Sequence, residues 1–206
     1  MTGKWYISAL DKNRKRRNCI VNAKRVFIND EWENISLNGE ILSYGYYHRY
    51  WNPDGTVNPE FKKDLISGKI LDLKEKKERA IAFFFNQLDG EICDDITICV
   101  VPSHMAGTSN ESGIAVLARR LASSNRIDGV NYLIRTKTVD KKAYGGNRNR
   151  EVDKSSISIT TNKVSGSVIL LVDDVSTSGN SLKVCRDILL QNGAERVAMF
   201  AIGKSV

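Results

Sequence analysis

Residues 168–181 have the sequence VILLVDDVSTSGNS, in which five apolar residues run into two aspartates and then into hydroxyl residues with one glycine. A continuous apolar run is typical of a strand that is buried on both faces of a parallel sheet. Ligands bind such sheets at the carboxyl ends of the strands, where Asp173 and Asp174 would lie. The stretch therefore predicts an α/β fold with a ligand site directly after this strand.

The segment Ser176–Ser181 has the properties of an anion-binding loop. It offers small side chains, hydroxyls and successive backbone N–H groups, and it leads into the start of a predicted helix, where the dipole favours a phosphate. Gly179 allows the backbone to come close to a ligand. A strand, two acids and such a loop suit a sugar phosphate. The alternative is that Thr177, Ser178 and Ser181 only cap the helix.

The sequence on both sides of this stretch alternates strand and helix patterns. Thr108 and Glu111 are spaced as in a capping box, and no periodicity is present in 136–154, which is predicted to be a mobile basic loop. The alternation indicates an α/β domain with a mostly parallel sheet. Strands are predicted at 96–101, 130–134, 156–160, 168–172 and 197–202, and helices at 110–124 and from Leu182 to a stop at Asn192 and Gly193.

The first 92 residues are predicted to form a hood that packs on a core of residues 93–206. Short β-like pieces occur at 19–28 and 41–47, and a helix is predicted through 73–88 with Glu75 and Arg79 as an i,i+4 pair. The segment YGYYHRYW, which contains His48, predicts aromatic packing. The alternative is that its rings form the wall of a base pocket by stacking.

The charge is concentrated in two stretches of this 206-residue chain, whose net charge is +7. Residues 12–17, KNRKRR, hold five positive charges, and residues 135–150 hold six positive charges and one negative. Such clusters predict a polyanionic partner, either phosphates or nucleic acid. The alternative is a solvated basic surface that keeps the protein soluble.

The cysteine pattern predicts reduced thiols and a cytoplasmic protein. Cys19, Cys93, Cys99 and Cys185 are scattered, which is unlike a zinc ribbon or a disulfide framework. No run of about 18 apolar residues is present, so we expect no membrane span.

The motif LLVDDVSTSGNS resembles the signature with which type I phosphoribosyltransferases bind 5-phosphoribosyl 1-pyrophosphate (PRPP). That signature has four hydrophobic residues, two acids, one further residue and then a Ser/Thr-rich loop with glycine. The resemblance covers residues 93–206. It implies a parallel-sheet type I phosphoribosyltransferase core, α/β in class, with helices on both faces and an N-terminal α+β hood.

The resemblance also implies site residues. Asp173 and Asp174 would be the catalytic acids, and no side-chain nucleophile or metal-ligand set is implied. Mg²⁺ would be held mostly by PRPP and water. The ribose 5-phosphate would be bound by Ser176, Thr177, Ser178, Gly179, Asn180 and Ser181. The pyrophosphate would be bound by Pro102, Ser103 and His104 of VVPSHMAG and by Lys137, Lys141 and Arg148 of the basic loop, although a structural role is an alternative for His104.

The implied activity is Mg²⁺-dependent transfer of ribose 5-phosphate from PRPP to a nitrogen acceptor, with release of pyrophosphate. The order of VPSH, LARRLA, LIRTKT and DDVSTSGNS is most similar to the competence-associated (ComF-like) branch. That branch has an arginine-rich stretch where this chain has MAGTSNESG. Thr177 stands where purine-salvage enzymes of the hypoxanthine–guanine type carry aspartate, which argues against that acceptor. A base, a nucleotide or a nucleic acid remains open, and the resemblance suggests a homodimer.

A second hypothesis is a non-catalytic protein on the same fold. It would sense PRPP or a nucleotide, or bind nucleic acid through Lys12–Arg17. A third combines the two, with a nucleotide or nucleic acid as the acceptor, as in a toxin or defence effector.

Overall fold

A parallel sheet forms the centre of the protein in the computed structural model, which describes residues 39–107, 110–139 and 150–206. The described strands are β1 (Ile41–Tyr47), β2 (Thr97–Val100), β3 (Ile127–Gly129), β4 (Leu133–Arg135), β5 (Ile157–Ile159), β6 (Val168–Ser176) and β7 (Arg196–Ser205). Five of them form one sheet in the order β1-β7-β6-β2-β3, and each neighbouring pair is parallel. The strands β4 and β5 pair separately and antiparallel.

Helices cover both faces of this sheet. Those described are α1 (Pro59–Lys63), α2 (Leu65–Lys74), α3 (Glu78–Leu88), α4 (Gly113–Ala122), α5 (Arg150–Ser156) and α6 (Asn180–Gln191). Helices α2, α3 and α4 share one hydrophobic cluster with the sheet, and we call this side the α2–α4 face. Helix α6 and the β4–β5 pair share the other cluster. Helix α5 packs against α6, and we call this side the α5–α6 face.

The apolar residues of β6 alternate between the two faces of the sheet. Leu170 and Val172 lie in the cluster of the α2–α4 face, whereas Ile169 and Leu171 lie in the cluster of the α5–α6 face. Successive side chains of a strand point to opposite sides, so a strand covered on both sides must be apolar at every position. The predicted parallel strand at 168–172 is confirmed, and burial on both sides explains its apolar sequence.

The segment before residue 93 contributes to the same sheet. Strand β1 is an edge strand that pairs with β7, and Leu42 and Tyr44 lie in the cluster of the α2–α4 face together with residues of α2 and α3. Gly113, the first residue of α4, lies against α2 so closely that a Cβ there would be 1.6 Å from the carbonyl oxygen of Leu73. The division of the chain at residue 92 stays a prediction.

The helix predicted through 73–88 is in fact two helices. The chain leaves the helical path at Lys76, which has a φ of 59°, and α3 begins two residues later. The predicted Glu75–Arg79 pair is therefore wrong. Arg79 instead binds Asp72 at 2.7 Å, and Glu75 binds Lys77 at 2.7 Å.

Three further predictions need correction. The short polar strand β3, with sequence IDG, takes the sheet-edge position, whereas the predicted strand at 130–134 is shifted to β4 and pairs outside the main sheet. The segment 136–154, predicted to be a loop, runs into helix α5. The N-cap of α4 is Ser112, whose Oγ accepts a hydrogen bond from the amide of Ala115 at 3.3 Å, and Thr108 of the predicted capping box lies outside the described residues.

Candidate functional site

The two aspartates of the motif lie at the carboxyl end of β6 and belong to opposite faces of the sheet. Asp174 is on the α2–α4 face, where its Oδ1 is 3.5 Å from the ammonium of Lys74. Asp173 is on the α5–α6 face, and its Oδ1 accepts a hydrogen bond from the amide of Asp174 at 2.9 Å. Both side chains are partly exposed. One carboxylate is therefore presented on each side of the strand end.

The loop after these acids presents hydroxyls next to the start of α6. Thr177 and Ser178 are exposed, whereas Ser176 and Ser181 are buried. The N-cap is Gly179, which makes no side-chain capping bond, so the alternative in which these hydroxyls only cap the helix loses its main support. Ser178 Oγ makes one long contact, accepting from the amide of Asn180 at 3.4 Å.

Gly179 is required by the local backbone as well as by packing. Its φ is 73°, in the left-handed region that favours glycine, and a Cβ there would lie 2.2 Å from Cδ1 of Ile41. The edge strand β1 therefore packs directly on this loop. Any side chain at residue 179 would push the loop away from the sheet.

The predicted pyrophosphate loop follows β2, which is the immediate neighbour of β6. Strand β2 is paired with β6 to its end, where the amide of Val101 donates to the carbonyl of Val172 at 3.1 Å, and β6 continues to Ser176. Pro102 is buried, and Ser103 and His104 are partly exposed. The two predicted anion loops therefore leave neighbouring strands at the same edge of the sheet.

The first residues of the predicted basic loop lie against the pyrophosphate loop. The carbonyl of His104 accepts from the amide of Val139 at 3.0 Å, and the amide of Ala106 donates to Thr138 Oγ1 at 3.1 Å. This places the exposed side chain of Lys137 beside the loop that contains His104. Lys141 and Arg148, also predicted to meet pyrophosphate, lie outside the described residues, as does Lys12–Arg17.

Lys74 is a residue of this edge that the sequence analysis missed. It is the last residue of α2, and its ammonium lies 5.4 Å from the centre of the Tyr47 ring as well as beside Asp174. The close packing of Gly113 on Leu73 fixes the end of α2 that carries it. No local pattern marks Lys74, because its partner is far away in the sequence and the two meet only when α2 covers the sheet.

Arg135 does not belong to an exposed basic surface. It is one of the positive charges of 135–150, but its side chain is 1% exposed and its Nη1 is 2.9 Å from Oδ1 of Asp153, which is 0% exposed. Lys137, in the same stretch, has an exposed side chain.

The aromatic segment after β1 divides into a buried and an exposed part. Tyr44 packs edge-on against Phe84 in the core, with ring centroids 5.6 Å apart. Tyr50 and Trp51 lie beyond the carboxyl end of β1, where Trp51 is 58% exposed and Tyr50 packs edge-on against Phe61. The first part is the predicted aromatic packing. The second part lies at the same sheet edge as the two aspartates, and its role in a base pocket stays a prediction.

The described cysteines are unsuited to nucleophilic chemistry. Cys93, Cys99 and Cys185 are buried. Burial is the main cause that raises the pKa of both the Cys99 and the Cys185 thiol far above the usual range, so both stay protonated at neutral pH.

The described part of the chain lacks a ready-made metal site. No group of three or more His, Cys, Asp and Glu side chains is arranged there to hold a metal ion. Among the helices of the same residues, none has the length and apolar character that a membrane span needs.

Part of the chain is similar in sequence to a known protein family. Residues 111–202 match the family model of the phosphoribosyl transferase domain, and this segment includes α4, β6, the two aspartates and the loop to α6. No curated protein matches the chain. A similar solved structure is the purine phosphoribosyltransferase from Pyrococcus horikoshii OT3, at 17% identity over 68% of this chain and 86% of that chain, with a TM-score of 0.34.

Residues 111–202 are therefore similar to a phosphoribosyl transferase domain. The predicted fold class is confirmed, since a mostly parallel sheet with helices on both faces is the α/β fold of type I phosphoribosyltransferases. The assignment to the ComF-like branch stays a prediction.

Proposed function

We propose that the protein transfers the ribose 5-phosphate unit of PRPP to a nitrogen acceptor and releases pyrophosphate. One observation carries this proposal. The two aspartates of the matched domain lie in the last residues of β6, the hydroxyl loop follows them, and a second loop follows the neighbouring strand β2 at the same sheet edge. A ligand with a phosphate at each end and a ribose between them fits this arrangement.

In the proposed reaction, the acceptor nitrogen forms a bond to C1 of the ribose as the bond from C1 to the pyrophosphate oxygen breaks. The bonding electrons leave with pyrophosphate, and the proton lost by the nitrogen passes to solvent. The protein would act by positioning and by stabilising the charge of the leaving group. The buried, protonated thiols are consistent with a reaction that needs no nucleophilic side chain.

The residues at the edge fit a magnesium ion that is held mainly by its ligand. Mg²⁺ usually keeps several waters and binds one or two carboxylates together with substrate phosphates. Asp173 and Asp174 are partly exposed and supply such carboxylates one at a time, because they lie on opposite faces. Magnesium would neutralise part of the charge on the departing pyrophosphate.

The exposed aromatic cluster of Tyr50, Trp51 and Phe61 supports an acceptor that carries a base. Strand β1, which precedes it, is two strand positions from β6, a lateral distance of about 10 Å. In this proposal the rings stack on a planar group of the acceptor, since aromatic side chains bind bases in this way.

The test is pyrophosphate release from PRPP with Mg²⁺, measured with and without an extract of small molecules and RNA. The site variant is Asp173→Asn with Asp174→Asn. The chain offers a matched control in Asp94 and Asp95, a second aspartate pair that is exposed and lies before β2, at the opposite end of the strands. Asp94→Asn with Asp95→Asn makes the same charge change, and asparagine suits the positive φ of residue 95.

We expect release that depends on the extract and on Mg²⁺, that is lost in the site variant and that persists in the control. Binding of PRPP without release would favour the non-catalytic sensor. A folded protein that does not bind PRPP would overturn both functions.

A further inference from the structure

A buried arginine on the α5–α6 face connects three segments around the proposed site. Arg135 Nε donates to the carbonyl of Ser103 at 3.1 Å, which ties β4 to the loop after β2. Its Nη1 donates to Asp153 Oδ1 at 2.9 Å and to Ser156 Oγ at 2.7 Å, which ties β4 to α5.

The same network continues to the loop after β6. The second oxygen of Asp153, Oδ2, accepts a hydrogen bond from Ser181 Oγ at 2.8 Å. Ser181 lies in the first turn of α6, directly after the hydroxyl loop. Hydrogen bonds through Arg135 and Asp153 therefore link the carbonyl of Ser103, in one proposed anion loop, to the hydroxyl of Ser181 at the end of the other.

The energetics of this network favour a geometric role over a stabilising one. Removing two charges from water costs free energy that their attraction often fails to recover, and apolar side chains of similar volume stabilise a core at least as well. What an ion pair with directed hydrogen bonds adds is a defined distance and orientation. In this chain those distances are set between the two proposed anion loops.

We propose that Arg135 and Asp153 are positioning residues that hold the loop containing Ser103 and the loop ending at Ser181 at the separation of the two phosphate ends of PRPP. This rests on the proposed function. A ligand that is bound at both ends gains affinity because binding of one end places the other at high local concentration. That gain depends on the spacing of the two loops and is absent for a ligand that fills only one of them.

The experiment compares three ligands in the presence of Mg²⁺: PRPP, which reaches both loops, and ribose 5-phosphate and inorganic pyrophosphate, which each fill one. Dissociation constants are measured by calorimetry for the native protein, Asp153→Asn and Ser181→Ala. Ser181→Ala keeps the Arg135–Asp153 pair, so it remains informative if Asp153→Asn fails to fold.

A matched control is Ser67→Ala. Ser67 is as buried as the network residues, and its hydroxyl likewise donates to an aspartate, Asp64 Oδ2 at 2.5 Å, but it lies in α2 on the other face of the sheet. We expect Asp153→Asn to weaken PRPP binding about 10- to 100-fold and Ser181→Ala to act in the same direction, while pyrophosphate binding changes by less than about 3-fold. In Asp153→Asn, the dissociation constant of ribose 5-phosphate should likewise change by less than about 3-fold. Ser67→Ala should leave the dissociation constants of all three ligands unchanged.

Partial unfolding would weaken the binding of all three ligands by the same factor, and that result would overturn the inference. Unchanged PRPP binding in both network variants would overturn it as well. In either case native binding of PRPP would leave the proposed function standing. If the native protein binds none of the three ligands, the proposed function fails and the positioning role fails with it.

Discussion

The two sides of the sheet at the carboxyl end of β6 each carry an ion pair, but one pair is buried and the other is partly exposed. On the α5–α6 face, the Arg135–Asp153 pair is at most 1% exposed and each partner makes further hydrogen bonds. On the α2–α4 face, the Lys74–Asp174 pair is longer, at 3.5 Å, with side chains 36% and 29% exposed. From this difference we expect the first pair to be part of the protein's framework and the second pair to contribute little to stability.

The largest expected effect tests the framework side. Asp153→Leu leaves the Arg135 guanidinium buried without its carboxylate, so we expect the free energy of unfolding to fall by about 3–5 kcal/mol. Adding Arg135→Met removes the remaining charge and should recover about 2 kcal/mol or more. Urea unfolding at pH 7 measures both. If Arg135→Met in the Asp153→Leu background causes a further loss of unfolding free energy instead of a recovery, this description of the pair is contradicted.

A smaller effect is expected where the α2–α4 face is held to the core. Gly113→Ala places a Cβ 1.6 Å from the carbonyl oxygen of Leu73, and because that atom is backbone the two helices must move apart. We expect a loss of about 1–3 kcal/mol. The matched control is Gly68→Ala within α2, where nothing lies within 4 Å, and it should stabilise by about 0.5–1 kcal/mol. Equal changes in the thermal midpoints of both variants would show that the close contact is unimportant.

Lys74 should matter little for stability. Lys74→Met keeps the apolar stem and removes the ammonium from a half-exposed pair, so the free energy of unfolding should change by at most about 1 kcal/mol. Unfolding in urea at low and high salt checks this, since the native protein should approach the variant as salt screens the pair. A loss similar to that of Asp153→Leu would erase the distinction between the two faces.

The smallest effect is expected at Asp72, a partly exposed acid of α2. Hydrogen bonds from Lys77 and Arg79 lower the pKa of its carboxyl below the usual value. Its contribution is therefore present above the unfolded-state pKa of about 3.9 and is lost as the pH falls through the folded-state pKa. Asp72→Asn should cost at most about 0.5 kcal/mol at pH 7. Unfolding curves from pH 7 to pH 3 should converge for variant and native protein; a constant gap would point to packing instead.

The sequence predicts the framework of the sheet well because burial on both faces imposes apolar residues along the central parts of β2, β6 and β7. It also predicts the acids and the hydroxyl loop, since the acids come directly after the apolar run of β6 and the loop follows them. Helix α5 was missed for the opposite reason. Its described buried residues include Asp153 and Ser156, so a search for apolar periodicity finds nothing there.

The remaining errors concern interactions between distant segments. Nothing near Lys76 marks the break between α2 and α3, because lysine rarely adopts a positive φ and no glycine or proline is present there. Lys74 and Arg135 look like ordinary surface cations in the sequence. Their roles appear only when α2 reaches Asp174 and when α5 brings Asp153 to Arg135.

The position of β7 has a consequence for synthesis of the chain. It follows every other described strand in sequence, yet it lies between β1 and β6 in the sheet. While the chain emerges from the ribosome, β1 therefore has no neighbour, and β6 has an open edge toward it until Arg196–Ser205 is released. Unpaired strand edges attract other chains, and pairing across so long a sequence separation is slow. The nascent protein thus passes through a stage in which two edges of its own sheet compete with intermolecular pairing.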